Sequence, residues 1–242
     1  MKINIVFPVL NEERRLEKGI RRTEKFLRQH EEIDAVVTIA DNGSTDATPQ
    51  LIKKLSEEFP NIRSITLPER GFGLAFRESV LQNDCDIIGY VDVDLSTDIT
   101  YLRHVVAGFT KHSEIDVIKG NRLSKRSQVN GRKASRNITS VGLDTLIKLV
   151  FGVRVSDTME GFQFFRKKCI DRLVAVSSQD NGWFYCAELL IRGEKMGYRI
   201  AELPVVWNDD YDTKVDVVKL ILNYLERIFS LKKALITEKR RK

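Results

Sequence analysis

Three cysteines, five prolines and three histidines are all that the 242 residues contain of each, and each scarcity closes off a class of protein. Cys85, Cys169 and Cys186 are odd in number, far apart and outside any CxxC or Cys/His pattern, so neither a disulfide framework nor a structural zinc site is expected. Reduced thiols fit a cytosolic setting. His30, His104 and His112 fall in helix-like surface stretches without partner spacing, which argues against histidine catalysis. No apolar run approaches the ~18 residues of a spanning helix. No signal-peptide pattern precedes the strand-like start Lys2-Ile-Asn-Ile-Val-Phe7. The expectation is a soluble chain, or one peripheral to the cytoplasmic face of a membrane, in which the sequon Asn137-Ile138-Thr139 is incidental. Low-complexity segments are also missing, so disorder is expected at the C-terminus alone.

What is present suffices for a full core: 42% of the residues are apolar, enough for one domain of ordinary size. The net charge of +6 is unevenly placed, because Tyr211–Lys242 holds nine Lys or Arg against four Asp or Glu. Residues 1–210 are therefore near neutral, which argues against a nucleic-acid surface. Two units are expected: a domain over 1–210, and an amphipathic helix with a basic tail over 211–242 that suits a membrane surface.

Apolar strand-like runs alternate with helix-period segments through the first half, the pattern of an α/β domain with a mostly parallel sheet flanked by helices. The strands are expected at Lys2–Phe7, Ala35–Ala40, Ile62–Leu67, Ile87–Val91 and Val117–Gly120. Helices are expected near Glu12–His30, Ala47–Phe59, Gly73–Gln82 and Ile99–His112. The second half is less regular. Ser135–Phe151 and Trp183–Met196 read as helices, Phe162–Phe165 as a strand, and Arg199–Val206, broken by Pro204, as an edge strand. Lys214–Leu235 has the apolar spacing of an amphipathic helix.

In an open parallel sheet, ligands bind beyond the carboxyl ends of the strands, and this chain puts its polar clusters there. Pro8-Val-Leu-Asn-Glu-Glu13, Asp41-Asn-Gly-Ser-Thr-Asp46, Glu69-Arg-Gly-Phe-Gly73 and Asp92-Val-Asp94 each follow a strand. Carboxylates two apart at a strand end, such as Asp92 and Asp94, suit one hard cation, Mg²⁺ or Mn²⁺, completed by substrate phosphates. Asp41 is placed to accept from a nucleobase or ribose. Arg70 and Gly71, before a helix, suit a phosphate. Arg122, Arg132 and Arg136 are cations for a diphosphate or an acceptor phosphate. Asp157 and Glu160 form a second acidic cluster, expected to orient the sugar or to supply a base for a hydroxyl acceptor, a role for which Glu188 is a further candidate. Trp183 offers a stacking face to a sugar or prenyl chain.

Taken in order, these motifs resemble the GT-A glycosyltransferases of family 2, and most closely the branch that makes polyprenyl- or dolichyl-phosphate sugars. The resemblance also rests on Gly120-Asn-Arg122, Asp157-Thr-Met-Glu-Gly-Phe162 and Glu202-Leu-Pro-Val-Val-Trp207, and it spans about Met1 to Asp210. It implies a Rossmann-like GT-A fold in which Pro8, Glu12 and Asp41 line the nucleoside pocket. Asp92 would meet ribose or metal, Asp94 the cation, and Arg122 with Arg136 the phosphates. Asp157–Phe162 and the Trp183–Glu188 helix would border sugar and acceptor. Asp157-Thr158 and the Trp207 segment look closer to the glucose branch than to the mannose one, which favours a UDP-sugar over GDP-mannose. Three features depart from the family: Asn42 where a second Asp is frequent, Cys186 where an acidic residue is frequent, and no C-terminal transmembrane helix.

The expected activity is an inverting, metal-dependent hexosyl transfer from a nucleotide-sugar to a polyprenyl phosphate. A saccharide acceptor, or a nucleotide-sugar-binding module without turnover, are the alternatives. A Rossmann dehydrogenase is disfavoured, since Pro8-Val-Leu-Asn11 stands where a GxGxxG turn is required.

Overall fold

The computed structural model describes residues 1–209 and 217–240 of the chain. Among these residues nine strands alternate with helices: β1 (Ile3–Val9), α1 (Leu16–Gln29), β2 (Ala35–Asp41), α2 (Thr48–Glu58), β3 (Ile62–Thr66), α3 (Phe72–Leu81) and β4 (Ile87–Val91). A 3₁₀ turn over Ile99–Tyr101 leads to α4 (Leu102–Lys111), β5 (Val117–Asn121), β6 (Gln128–Asn130) and α5 (Ala134–Phe151). Then come β7 (Phe162–Arg166), α6 (Lys167–Val176), α7 (Phe184–Lys195), β8 (Ile200–Pro204), β9 (Val206–Asn208) and α8 (Val217–Arg240). The expected elements are present, most of them within a few residues at each end. Three were not expected, β6, α6 and β9.

Seven strands form one sheet in the order β3-β2-β1-β4-β7-β5-β8, parallel except for β7, and β6 pairs with β9 apart from it. The sheet is buried on both faces, which is why its strands read as continuous apolar runs. Alternation then sorts each strand. Ile3, Ile5, Phe7 and Val9 of β1 point to the layer of α1, α2 and α4, whereas Val6 points to the layer of α3, α6 and α7. Burying one such side chain contributes about 1.5–3 kcal/mol. Pro204 is the last residue of β8, an edge strand, where its missing N–H costs no ladder bond.

Two features of this topology position the site. First, β1 is followed by β2 on one side and neighboured by β4 on the other, so a crevice opens between the carboxyl ends of β1 and β4. Second, β7 runs antiparallel between β4 and β5, so its amino end lies at that same rim. The residues before it, Asp157–Gly161, are thereby brought to Asp92: Val91 pairs with Phe162, and Asp92 N donates to Gly161 O at 3.0 Å.

The expected C-terminal helix is present as α8, and its Tyr224, Ile228 and Leu231 are buried against the α3, α6 and α7 layer. The remainder of the segment 211–242 lies outside the described residues. No described helix is long and apolar enough to cross a membrane.

Candidate active site

A cavity of about 940 Å³ opens at the β1/β4 crevice and runs to the gap between α5 and α8. Its inner end is lined by Pro8 near the end of β1, Leu10 and Glu12 after it, Asn42 after β2, Gly71 and Phe72 at the start of α3, and Asp92 and Asp94 after β4. The middle is cationic, with Arg122, Arg132 and Arg136. The outer arm is apolar, with Leu143 and Leu146 of α5 facing Ile221, Tyr224 and Leu225 of α8. Trp183, half exposed, stands on the wall.

The Asp92–Asp94 turn is tightly built. Leu95 N donates to Asp92 O and Ser96 N to Asp94 Oδ1, both at 2.9 Å, and Leu95 takes a left-handed φ of +53°. A branched side chain in that region costs about 1–2 kcal/mol, a strain typical of functional turns. Two glycines allow the approach. A Cβ on Gly19 of α1 would stand 2.2 Å from Val93 O, and one on Gly161 would stand 1.8 Å from Asp92 Oδ2. Among the described residues, neither carboxylate oxygen of Asp92 has a hydrogen-bond partner. Burial, and then the charges of Asp94 and Glu160, push the Asp92 carboxyl well above its usual range. Hard oxygen ligands, mutual repulsion and missing donors fit Mg²⁺ or Mn²⁺. Among the described residues no group of three or more His, Cys, Asp or Glu encloses a metal, so substrate phosphates and water would complete its shell.

Beside the turn lies a buried ion pair. Arg122 Nε and Nη2 meet Asp157 Oδ2 and Oδ1 at 2.9 and 2.7 Å, and Arg122 N adds a third bond to Oδ2 at 2.7 Å. Asp157 sits at φ +50°, which Asp tolerates better than most residues, and its N donates to Asp144 Oδ1. Burial alone would raise its pKa, but the charge and hydrogen bonds of Arg122 overcome this and bring it down to about 2. Asp157 is therefore held as the anchor of Arg122, and its lowered pKa makes it a poor base. Arg122 itself has its Nε and Nη2 committed to that pair, and its guanidinium lies over the Trp207 ring at 5.4 Å.

Glu160 is the carboxylate whose chemistry suits neutral pH. It lines the cavity, accepts from Thr97 Oγ1 at 2.6 Å and from Phe162 N at 2.8 Å, and is pushed up to about 7 by burial against the pull of Arg122 and Lys119. A folded pKa above the unfolded value of ~4.3 means that the stability this group permits is full below that value and lost as pH rises through about 7. The melting temperature of Glu160→Gln should accordingly vary less than wild type's between about pH 5 and 8, and parallel profiles would count against this protonation state.

Arg132 also lies over the Trp207 ring, again at 5.4 Å, so one indole meets two guanidinium groups. Its Nη1 and Nη2 donate to Asn137 Oδ1 and Ser140 Oγ, while Nε is buried without a partner among the described residues. Burial, and then the charge of Arg122, lower its pKa to about 10. An anion in the cavity would relieve both penalties. Arg136 is held by Asp209 at 2.8 Å.

Three expected site residues are not brought to the cavity. Asp41 is buried at the end of β2, where its Oδ1 accepts from Ser44 N as in an ordinary turn, and its neighbour Asn42 lines the cavity instead. Arg70 is exposed outside the lining, although Gly71 is within it. Glu188 is buried on α7, paired with Arg192 at 2.7 Å and accepting from Ser178 N and Oγ. Trp183 and Glu188 lie five apart on one helical segment, and this separation, about 140° around a helix, divides the two. Conversely, the wall contributed by α8, the Trp207 ring that meets both arginines and the fully buried Lys119 were not anticipated as site elements. Trp207 closes a quoted motif, whereas Lys119 carried no signal beyond a charge inside an apolar strand.

Comparison with known proteins agrees with this geometry. A model of the family described as Glycosyl transferase family 2 matches residues 4–174. Glycosyltransferase AglD of Haloferax volcanii is 32% identical over 224 residues, which is 92% of this chain but 35% of that protein, so the chain spans about a third of its length. Dolichyl-phosphate beta-glucosyltransferase ALG5A of Trichomonas vaginalis is 29% identical over 230 residues, 90% of this chain and 69% of that protein. Among solved structures, glucosyl-3-phosphoglycerate synthase of Mycobacterium tuberculosis, in complex with Mn²⁺, UDP-glucose and glycerol 3-phosphate, superposes with a TM-score of 0.68 at 19% identity over 94% of this chain and 79% of that one. That likeness establishes the GT-A fold. The chain belongs to glycosyl transferase family 2.

Proposed function

We propose that this chain transfers a hexose, with inversion, from a nucleotide-sugar to a polyprenyl phosphate at the cytoplasmic face of a membrane, with a UDP-sugar preferred to GDP-mannose. The observation that carries this reading is the single cavity that passes from a carboxylate pair, through arginines, to an apolar arm. A diphosphate, a phosphate and a prenyl chain would meet those three environments in that order. Relatives named dolichyl-phosphate beta-glucosyltransferases and a UDP-glucose-binding structural neighbour support it.

Pro8, Glu12 and Asn42 would hold the nucleoside end, and Gly71 would give the donor close backbone approach. A Mg²⁺ or Mn²⁺ held by Asp92 and Asp94 would neutralise the charge that develops on the departing nucleoside diphosphate. Arg132, with Arg136 beside it, would orient the acceptor phosphate, and Trp183 would flank the sugar or the first prenyl units. The phosphate oxygen attacks the anomeric carbon as the bond to the diphosphate breaks. It needs no base, being ionised at neutral pH. A saccharide hydroxyl would need one, and Glu160 is the observation that favours that second reading. Its two oxygens already accept from Thr97 and Phe162, so the lipid phosphate ranks first. Residues 1–210 would form the transferase unit and 211–242 a membrane-surface element.

The test is nucleoside diphosphate release from UDP- and GDP-sugars with Mn²⁺ or Mg²⁺, with and without a short polyprenyl phosphate. Release of UDP that depends on both lipid and metal is expected, and lipid-independent behaviour would move the acceptor to a saccharide. In the same assay Arg132→Ala should raise the KM for the lipid phosphate roughly tenfold or more while leaving the donor KM unchanged. An unaltered lipid KM would remove Arg132 from the acceptor site.

A further inference from the structure

Two apolar stripes lie uncovered beside the mouth of the cavity. On α5, Ile138 is 74% and Leu149 79% exposed, with Val141 between them, on the face away from buried Ile147 and Phe151. On α8, Leu222 and Phe229 are 63% and 66% exposed, and Ile236 continues the same flank at seven-residue spacing. That flank adjoins the side of α8 whose Ile221 and Leu225 line the cavity, and the same side reaches α5 through Lys232 Nζ, which donates to Val150 O. The other flank of α8 is closed by α7, through Arg192 and Glu238 at 3.0 Å. Exposed apolar residues scattered singly need no explanation. Six on two helices that border one opening do.

We propose that the joint outer face of α5 and α8 rests on a bilayer leaflet carrying anionic headgroups, so that the cavity opens between them into that leaflet. This inference rests on the lipid-phosphate reading above and names the surface that reading requires. Charge selects the occupant. The two helices carry eight Lys or Arg and three Asp or Glu, and two of those carboxylates are already paired, Asp144 with Lys148 and Glu238 with Arg192. Lys233, Lys239 and Arg240 on α8, and Lys133 just before α5, are exposed, so the rim is complementary to anionic lipid. A second copy of the chain would present the same excess of positive charge and be repelled. With no described helix able to span, these side chains would enter no deeper than the boundary between headgroups and acyl chains.

The experiment is co-sedimentation of the full chain with phosphatidylcholine vesicles, with and without about one third phosphatidylglycerol. Binding to the anionic vesicles that weakens with added salt is expected. Ile138→Ser combined with Leu149→Ser, and separately Phe229→Ser, should each lower the partition coefficient roughly tenfold. Lys233→Glu with Lys239→Glu should lower it on anionic vesicles alone. All five substituted residues are exposed, so melting temperatures should not move. Transfer to a short polyprenyl phosphate without vesicles is measured alongside and should be unchanged in every variant. Loss of that transfer in the wild-type chain, with vesicle binding intact, would bring down the reaction and not the surface. The surface is overturned if the variants bind vesicles like wild type. It is equally overturned if the apolar substitutions abolish self-association or capture of a protein while vesicles never bind.

Discussion

Asp94→Asn should lower turnover by roughly a thousandfold or more and leave the fold intact. Asparagine keeps the shape of the side chain and the oxygen that accepts from Ser96 N, so the turn after β4 has no reason to open. What goes is one negative charge out of two. That charge matters oppositely for stability and for activity. In the free protein it repels Asp92, whose carboxyl is already raised by burial and by this neighbour, so its removal should leave the melting temperature equal or slightly higher. During transfer, the same charge would be what retains a divalent cation against the nucleoside diphosphate. A variant that is as stable as wild type, binds donor weakly in Mn²⁺ and turns over at the chelated wild-type rate is the expected outcome. Full metal-dependent activity in Asp94→Asn would remove the pair from the reaction. Gain of stability with loss of function is the pattern of a site built for a ligand rather than for the fold.

The legibility of this site in the sequence follows strand ends. Pro8, Glu12, Asp92, Asp94 and Arg122 could be placed because each follows an apolar run that ends abruptly in polar residues, and a parallel sheet gathers such ends on one rim. The same rule overreached at Asp41 and Arg70. One residue of offset decides whether a side chain enters the crevice or closes a turn, and periodicity does not resolve one residue at a strand end. Asp157 and Glu160 were recognised as an acidic cluster, but their difference is three-dimensional. Antiparallel β7 carries them to the rim, where Arg122 reaches Asp157, and Glu160 is left with Thr97 and a backbone N–H. Glu188 was misplaced for a related reason: nothing local marks Arg192 and Ser178 as its partners. The wall given by α8 depends on contacts about 80 residues apart in sequence, as between Lys232 and Val150, and no local pattern reports these.

Asp157→Asn should cost about 3 kcal/mol of stability or more, a fall of about 10 °C in melting temperature for a chain of this size. The pair is buried on both sides, with side-chain exposures of 8% for Arg122 and 2% for Asp157, so solvent cannot replace the lost carboxylate. Asparagine tolerates the left-handed backbone at this position, which separates the loss of charge from any loss of conformation. Combining it with Arg122→Met should recover much of the deficit, since an uncompensated buried cation costs more than an absent pair. The pH dependence gives a second check. Asp157 is held at about 2, below its unfolded value of ~3.9, so its contribution is full above the unfolded value and lost as pH falls toward 2. That acid limb should be missing in the variant. At neutral pH the stranded charge of Arg122 still faces Glu160 and Asp92, and it already pulls Glu160 toward ionisation against burial. Asp157→Asn should therefore move the Glu160 limb from near pH 7 to lower pH. An unshifted limb, or a stability within 1 kcal/mol of wild type, as is common for exposed pairs, would mean that Arg122 is solvated and that the two carboxylates do not share it.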